Sequence, residues 1–180
     1  MRYINIIGQI DDKLIKDVLE QLYKIEKEDN DIINNNSKLI DKKDYKEIED
    51  LTINITTNGG YCYGFYAIWD IIKKLKCKII TRAYGQCESC GIFLFLMGEE
   101  RYAGEFTEFL HHKMSYSYPY SKLQEHVNIA EYRVKQDKRE DEYIISRTNI
   151  TKDMLDKYKL ADWWFDYEEA VKLGVVNKSN

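Results

Sequence analysis

Residues 85–91 read Gly-Gln-Cys-Glu-Ser-Cys-Gly, and this stretch predicts how the chain around it folds. It follows a strand-like run, residues 77–83, and it opens the apolar segment 92–97. That order predicts a strand, a tight glycine-containing turn and a buried helix, with Ser89 at the turn. A serine there can project into a cleft. The backbone N–H groups beside it lie at a helix N-terminus, where they can bind an oxyanion.

Strands and helices alternate on both sides of this turn. Alternation and short apolar runs predict strands at residues 3–8, 51–57, 77–83, 100–103, 108–112 and 175–176. Helical spacing predicts helices at residues 11–27, 61–75, 90–97, 120–147, 151–158 and 165–173. Residues 28–50 are polar and predict a surface excursion with one helical turn. Such alternation favours an α/β fold of βαβ units with a mainly parallel sheet.

Length and charge exclude several classes of protein. The 180 residues are enough for one domain, residues 1–180, with its own core. The formal net charge is −4 at pH 7, which argues against nucleic acid or an anionic membrane as the main partner. No apolar run is long enough to span a membrane. Residues 1–7 are too short and polar for a signal peptide, so we expect a cytoplasmic protein.

Two of the four cysteines, Cys87 and Cys90, form a Cys-x-x-Cys pair that is typical of zinc or redox sites. A structural zinc site needs four ligands, and the sequence has no second pair of this kind. We therefore expect no metal, and interpret the cysteines as small reduced residues that pack at a tight turn.

Candidate catalytic side chains lie on both sides of these cysteines. Ser89 is either a nucleophile or the N-cap of the helix that follows. A histidine is the usual general base, and His111 and His112 end an apolar run. Adjacent strand residues point to opposite faces, so only one of the two can face the serine. The third, His126, lies in a charged helical segment and is expected to be solvated.

The remaining candidates are acids and a glycine loop. Asp162 lies next to bulky aromatic residues and can orient an imidazole, whereas Asp166 can equally cap the helix after it. The residues alone do not choose between the two. Residues 58–60, Asn-Gly-Gly, follow a strand and allow close backbone approach to a ligand. They form an oxyanion donor, a phosphate loop or only a turn, but neither a P-loop nor a Gly-x-Gly-x-x-Gly motif.

Taken in order, five segments resemble the Clp protease proteolytic subunit family, ClpP. Residues 6–11 (Ile-Ile-Gly-Gln-Ile-Asp) are similar to its first strand and turn, and residues 53–60 to its Tyr-Ile-Asn-Ser-Pro-Gly-Gly segment. Residues 85–91 resemble its nucleophile turn, Gly-Gln-Ala-Ala-Ser-Met-Gly, and residues 109–112 the run that ends in its catalytic histidine. Residues 162–176 resemble Asp-Arg-Phe-Leu followed by Glu-Ala-x-x-Tyr-Gly-Leu-Val.

This resemblance implies a serine endopeptidase. Ser89 is the expected nucleophile, His112 the general base and Asp162, rather than Asp166, the acid that orients the histidine. The backbone N–H groups of Gly60 and Cys90 are the expected oxyanion donors. No metal or organic cofactor is required. The expected substrates are peptides or unfolded proteins.

The resemblance also implies an architecture and an assembly. The fold is that of ClpP and the crotonases, repeated ββα units with a protruding handle helix at about residues 120–147. In the family, handles of two stacked heptameric rings interlock, so a homo-oligomeric ring or double ring is expected. Val127, Ile129, Val134 and Tyr143 of the handle are then expected to face partners.

Several features depart from the family pattern. An AAA+ unfoldase is the family's partner, but the first strand here starts almost at Met1, where relatives carry a docking segment, so conventional docking is not expected. Residues 28–50 are longer than the family needs. Glu88 puts a carboxylate directly before the nucleophile. Two alternatives to a peptidase are a non-catalytic ClpP-like ring subunit and a crotonase-type acyl-CoA enzyme, which uses two oxyanion N–H groups without this triad.

Overall fold

The computed structural model describes residues 2–117 and 122–179. The strands within these ranges are β1 (Arg2–Ile7), β2 (Leu51–Thr57), β3 (Ile79–Glu88), β4 (Glu100–Ala103), β5 (Glu108–His111) and β6 (Trp163–Phe165). The helices are α1 (Asp12–Asn36), α2 (Cys62–Ile72), α3 (Cys90–Phe95), α4 (Leu123–Arg147), α5 (Lys152–Lys157) and α6 (Tyr167–Lys172), with a short 3-10 helix at Lys42–Asp44.

The strands form one twisted sheet in the order β1-β2-β3-β5-β6. Neighbouring strands from β1 to β5 are parallel, and only β6 runs antiparallel, against β5. Strand β4 pairs in parallel with the first half of β3, and β5 takes over along its last three residues. The predicted α/β fold with a mainly parallel sheet is therefore confirmed.

One face of the sheet carries the core. Side chains alternate across each strand, so every second residue points to this face; Ile4, Ile6, Ile53, Ile55, Ala83 and Phe109 do so, and each is at most 1% exposed. Helices α1, α2 and α3 pack beside one another over it. Burying each isoleucine stabilises the fold by roughly 1.5–3 kcal/mol. The opposite face stays open, with Tyr3, Ile7, Tyr84 and Trp164 exposed.

Helix α1 ends nine residues later than predicted, because its polar second half has a buried partner. Asp29 is fully buried, and its Oδ1 lies 2.6 Å from Nη1 of Arg2 at the start of β1. The side chain of Asn36, at the helix end, bonds both the N–H and the carbonyl of Lys46. The prediction that the excursion begins at residue 28 was therefore wrong, since an ion pair can continue a buried helix face where apolar residues stop.

The end of the chain differs from the prediction in a similar way. Residues 175–176 are buried but form no strand, because Arg101 takes the carbonyl groups that a strand would use. Its Nε donates to the Val175 oxygen at 2.7 Å, and Nη2 donates to the Gly174 oxygen at 2.8 Å. Conversely, the sequence did not indicate β6, which is three residues long and exists through its pairing with β5.

Helix α4 matches most of the predicted handle, whose first residues, 120 and 121, lie outside the described ranges. Its buried residues, Glu140, Asp141 and Ile144, all lie in its last third. Leu123 and Val134, further toward the start, are 82% and 68% exposed. Most side chains in the first two thirds of α4 are therefore exposed, although Arg133 stacks on the ring of Tyr116 at 3.9 Å from its centroid. Across residues 2–117 and 122–179, no helix combines the length and apolar character needed to cross a membrane.

Candidate active site

Ser89 lies between β3 and α3 in an unusual backbone conformation. Its φ is 55° and its ψ is −126°, and it is the only non-glycine residue in the described ranges with a positive φ. Such a conformation costs on the order of 1–3 kcal/mol and persists only where neighbours hold it. The Ser89 N–H donates to the Leu110 carbonyl at 2.8 Å. Its hydroxyl makes no cap hydrogen bond to α3, so helix capping does not explain this serine.

Strand β3 is longer than the sequence indicated, and its additional residues determine the position of Ser89. Residues 84–88, predicted as part of a tight turn, are still strand, because residues 86–88 pair with Glu108–Leu110 of β5. Ser89 thus follows directly from the sheet and lies beside the end of β5.

The hydroxyl of Ser89 contacts the imidazole ring of His112, which immediately follows β5. Nε2 of His112 lies 2.9 Å from Ser89 Oγ, and Nδ1 lies 2.8 Å from the carbonyl oxygen of Lys113. Because a carbonyl oxygen only accepts, Nδ1 carries the proton in this contact. Nε2 of the neutral ring is then free to accept the serine proton, as a general base must.

The neighbouring histidine faces the other way. His111 is 7% exposed, and its ring packs edge-on against Phe93 with 6.2 Å between centroids. Burial lowers the pKa of His111 to about 4, and the positive charge of Lys113 adds to this effect. His111 is therefore a neutral core residue, as strand alternation requires when His112 faces Ser89. His126 is exposed on α4.

The two candidate acids have separate positions. Asp166 is the N-cap of α6, with a side-chain oxygen 2.9 Å from the Glu169 N–H. Asp162 immediately precedes β6 and is exposed. The β5–β6 pairing matches residue 111 with Trp163, so one further step sets Asp162 opposite His112. Within residues 2–117 and 122–179, Asp162 nevertheless forms no hydrogen bond to His112, whose Nδ1 bonds a carbonyl instead.

The glycine loop after β2 comes directly against Ser89. A Cβ on Gly59, whose φ is +86°, would lie 2.6 Å from Ser89 Cβ. On Gly60, with φ +151°, it would lie 2.3 Å from the carbonyl oxygen of Ile10. Only glycine fits at both positions, so the close approach of this loop to the serine depends on them.

The two expected oxyanion donors lie close together. Burial raises the pKa of the Cys90 thiol to about 12, the neighbouring Cys62 thiol adds to this, and the N–H groups of Gly60 and of Cys90 itself act in the opposite direction. Both N–H groups therefore lie beside the same sulfur atom. One donor from the start of α3 and one from the loop after β2, close to each other, are suited to binding one negatively charged oxygen.

Sequence reasoning missed two residues that support this arrangement. Thr57 is fully buried; its Oγ1 accepts from the Gly59 N–H at 3.0 Å and donates to the Gly8 carbonyl at 2.6 Å. A threonine two residues before Gly59 was the available signal, since its hydroxyl commonly bonds a nearby turn. Lys113 supports the site through its backbone carbonyl, which contacts the ring of His112. A pattern of side chains in the sequence does not indicate a backbone contact of this kind.

The cysteine pair does not form a metal site in the described part of the chain. All four cysteines are free thiols, and Cys87 and Cys90 are buried. Residues 2–117 and 122–179 contain no cluster of three or more His, Cys, Asp or Glu side chains that could hold a metal ion.

Comparisons with known proteins agree with this fold. The family model described as Clp protease matches residues 1–179. The ATP-dependent Clp protease proteolytic subunit 2 of Pseudomonas aeruginosa is 27% identical over 185 aligned residues, which cover 99% of this chain and 80% of the relative. The structure of a ClpP1 point mutant from Listeria monocytogenes superposes with a TM-score of 0.78 at 23% identity, covering 99% of this chain and 91% of that one. This likeness shows the expected ClpP/crotonase fold.

Proposed function

The chain belongs to the Clp protease family, and from this premise we propose that it is a serine endopeptidase in which Ser89, His112 and Asp162 act together. Its domain is the whole chain, residues 1–180, and its substrates are peptides or unfolded proteins. The observation that carries the proposal is the 2.9 Å contact between Ser89 Oγ and His112 Nε2 at a strained backbone position.

In the proposed mechanism, His112 Nε2 takes the proton from Ser89 as Oγ attacks the carbonyl carbon of a peptide bond. The carbonyl oxygen becomes negatively charged and is bound by the N–H groups of Gly60 and Cys90. Removing one such donor typically slows reactions of this kind on the order of 100-fold or more. His112 then returns its proton to the leaving amine, and water hydrolyses the resulting ester of Ser89. No metal or organic cofactor takes part.

Asp162 is assigned the role of orienting His112 in the assembled, substrate-bound enzyme. It stands opposite His112 in the extended β5–β6 pairing, and its exposed carboxylate is free to rotate. Catalytic hydrogen bonds are often long or misaligned without substrate, which is consistent with this role.

A fluorophosphonate probe tests the proposal, because it reacts only with an activated serine. We expect the wild type to be labelled at Ser89, with labelling lost in Ser89→Ala and strongly reduced in His112→Gln. Ser117→Ala, which changes an exposed serine elsewhere, serves as the matched control and should label like the wild type. Absence of labelling in assembled wild-type protein would refute the peptidase proposal.

One observation favours a second candidate, a ring subunit without catalytic activity. Within the described ranges His112 has a neutral carbonyl as its Nδ1 partner and no carboxylate. Failure of the probe to label a stable ring would support this alternative. A crotonase-type acyl-CoA enzyme would instead bind an acyl thioester without using Ser89 as a nucleophile.

The protein is further proposed to act inside a homo-oligomeric ring or double ring in the cytoplasm. The exposed apolar residues of α4, Leu123, Val127 and Val134, support an association of this kind, because apolar side chains on a protruding helix gain by burial. Tyr143 is the exception among the predicted contact residues, since its ring packs on Trp69 with 4.1 Å between centroids. Light scattering and electron micrographs should show rings with a lumen, and a monomer would contradict the chamber.

Whether this chain works with an ATP-driven unfoldase is a separate question. The Pseudomonas relative is named as a subunit of an ATP-dependent protease. Comparing hydrolysis of a short peptide with that of a folded protein, with and without a bacterial AAA+ unfoldase and ATP, tests whether this chain uses such a partner.

A further inference from the structure

The carboxylate of Glu88 lies on the open face of the sheet. In the parallel pairing of β3 with β5, Glu88 stands beside Leu110, and in the antiparallel pairing of β5 with β6, Leu110 stands opposite Trp164. Paired residues on neighbouring strands point to the same side of a sheet. Glu88, Leu110 and Trp164 therefore form one row across this face, while the preceding Cys87 points into the core.

His112 belongs to the next row on the same face. It follows Leu110 by two residues and therefore points to the same side. Its neighbour across the β5–β6 pairing is Asp162, and its diagonal neighbour across the β3–β5 pairing is Glu88. Diagonal neighbours in a sheet are about 7–8 Å apart, within reach of long side chains. In this register, position 112 thus lies between Glu88 of β3 and Asp162, which immediately precedes β6.

The pKa of Glu88 responds to the ring of His112. Partial burial raises the pKa of Glu88 above its ordinary 4.5, the negative charge of Glu108 adds to the increase, and His112 opposes it. Within residues 2–117 and 122–179, no hydrogen bond or ion pair engages the Glu88 carboxylate. Its charge is therefore unpaired in these ranges, and His112 is the neighbour that favours the charged form of Glu88.

Other charged groups near His112 do not replace this contribution. The carbonyl of Lys113 orients the ring but carries no net charge. The ammonium of Lys113 is paired with Asp141 of α4, so its positive charge is largely balanced. Glu108, on β5 itself, lies four residues before His112 and one row further away than Glu88.

From this placement we infer that Glu88 is a positioning residue, whose carboxylate stabilises the positively charged ring that His112 forms when it takes the serine proton. The role rests on the proposed peptidase function. It explains why a carboxylate can stand directly before the nucleophile: with a neutral carbonyl on Nδ1, a negative charge on the same face compensates the charge that develops during attack.

Titration of His112 by nuclear magnetic resonance tests the inference without requiring turnover. The chain has only three histidines, so ring carbons labelled with carbon-13 give three signals, and His112→Gln identifies the relevant one. We expect Glu88→Gln to lower the pH midpoint of the His112 signal by roughly half a unit at low salt, about threefold in the protonation equilibrium. The difference should shrink at high salt, because exposed charges are screened.

Two variants control the experiment. Glu88→Asp keeps the charge and should recover most of the midpoint shift, which a merely structural role of the side chain would not do. Glu105→Gln removes an exposed carboxylate from the loop before β5 and should leave the midpoint unchanged. Equal midpoints in the wild type and Glu88→Gln would overturn the inference.

Labelling with the fluorophosphonate separates this outcome from failure of the proposed function. In Glu88→Gln, the acid limb of the labelling rate against pH should move down by the same roughly half unit as the midpoint of the ring signal. An unlabelled wild type refutes the peptidase, while the ring titration still decides whether Glu88 acts on His112. A labelled wild type with equal midpoints refutes only the role of Glu88.

Discussion

Two glycines with nearly the same φ angle allow a sharp test of the loop beside Ser89. Gly8 and Gly59 have φ values of +85° and +86°, but a Cβ on Gly8 meets nothing within 4 Å, whereas on Gly59 it would lie 2.6 Å from Ser89 Cβ. Substitution by alanine therefore imposes the same backbone strain at both positions and a steric clash at only one.

The expected magnitudes follow from this geometry. A left-handed alanine costs roughly 1–2 kcal/mol, and the lower entropy of the unfolded chain returns roughly 0.4–1 kcal/mol, so each variant should lose about 1 kcal/mol of unfolding free energy from strain. In Gly59→Ala, Ser89 must also move by roughly 0.9 Å to restore ordinary carbon–carbon contact. A displacement near 1 Å in a catalytic site costs up to about 100-fold in rate.

The assay combines fluorophosphonate labelling rates with urea unfolding. We expect Gly59→Ala to be labelled roughly 10- to 100-fold more slowly than Gly8→Ala, and to unfold at a lower urea concentration because the clash adds to the strain. Labelling is compared under conditions in which both variants are folded, so Gly8→Ala controls for the effect of backbone strain. Equal labelling rates in the two variants would refute the reasoning that this loop must approach Ser89 closely.

Two further predictions concern acids near the site. Asp162→Asn should slow labelling by roughly 100-fold or more if Asp162 orients His112. Asp166→Ala should lower the unfolding free energy by about 1 kcal/mol through loss of a helix cap and leave the labelling rate unchanged. Equal labelling rates in Asp162→Asn and the wild type would remove Asp162 from the mechanism. Burial raises the pKa of Glu140, which accepts a hydrogen bond from Tyr66, to about 7 from an ordinary 4.5. Because the folded state then binds this proton more tightly, the unfolding free energy should fall as the pH rises from about 4.5 to 7. In urea unfolding, Glu140→Gln should raise the unfolding free energy by about 1–3 kcal/mol at pH 8 but change it little at pH 4. Equal gains at both pH values would contradict this.

Local sequence patterns were sufficient for prediction where a single strand or helix determines the structure. The alternating residues of β2 and the order strand, Ser89, helix were readable because burial imposes a period of two on strands and a serine before an apolar run marks a helix start. Alternation also predicted that only one of His111 and His112 faces the serine. The choice of His112 came from the family resemblance, and the contact with Ser89 agrees with it.

Patterns failed where a distant partner determines the structure. The second half of α1 is helical because Asp29 is paired with Arg2, 27 residues away. Residues 175–176 are not a strand because Arg101 takes the carbonyl groups of Gly174 and Val175. The alternatives at Ser89 were likewise open in the sequence, since a capping and a nucleophilic serine look the same. Its left-handed backbone and the absence of a cap bond distinguish them.

The sequence by itself therefore determined the class of fold and the residue types from which the site is built, because both follow from periodicity and short-range order. Only the tertiary structure decided which groups surround His112. The pairing of β3, β5 and β6 brings the end of β3, followed by Ser89, and the start of β6, preceded by Asp162, to the end of β5, although Ser89 and Asp162 are more than 70 residues apart in the sequence. Register between strands depends on packing of the whole core, which no local stretch of sequence contains.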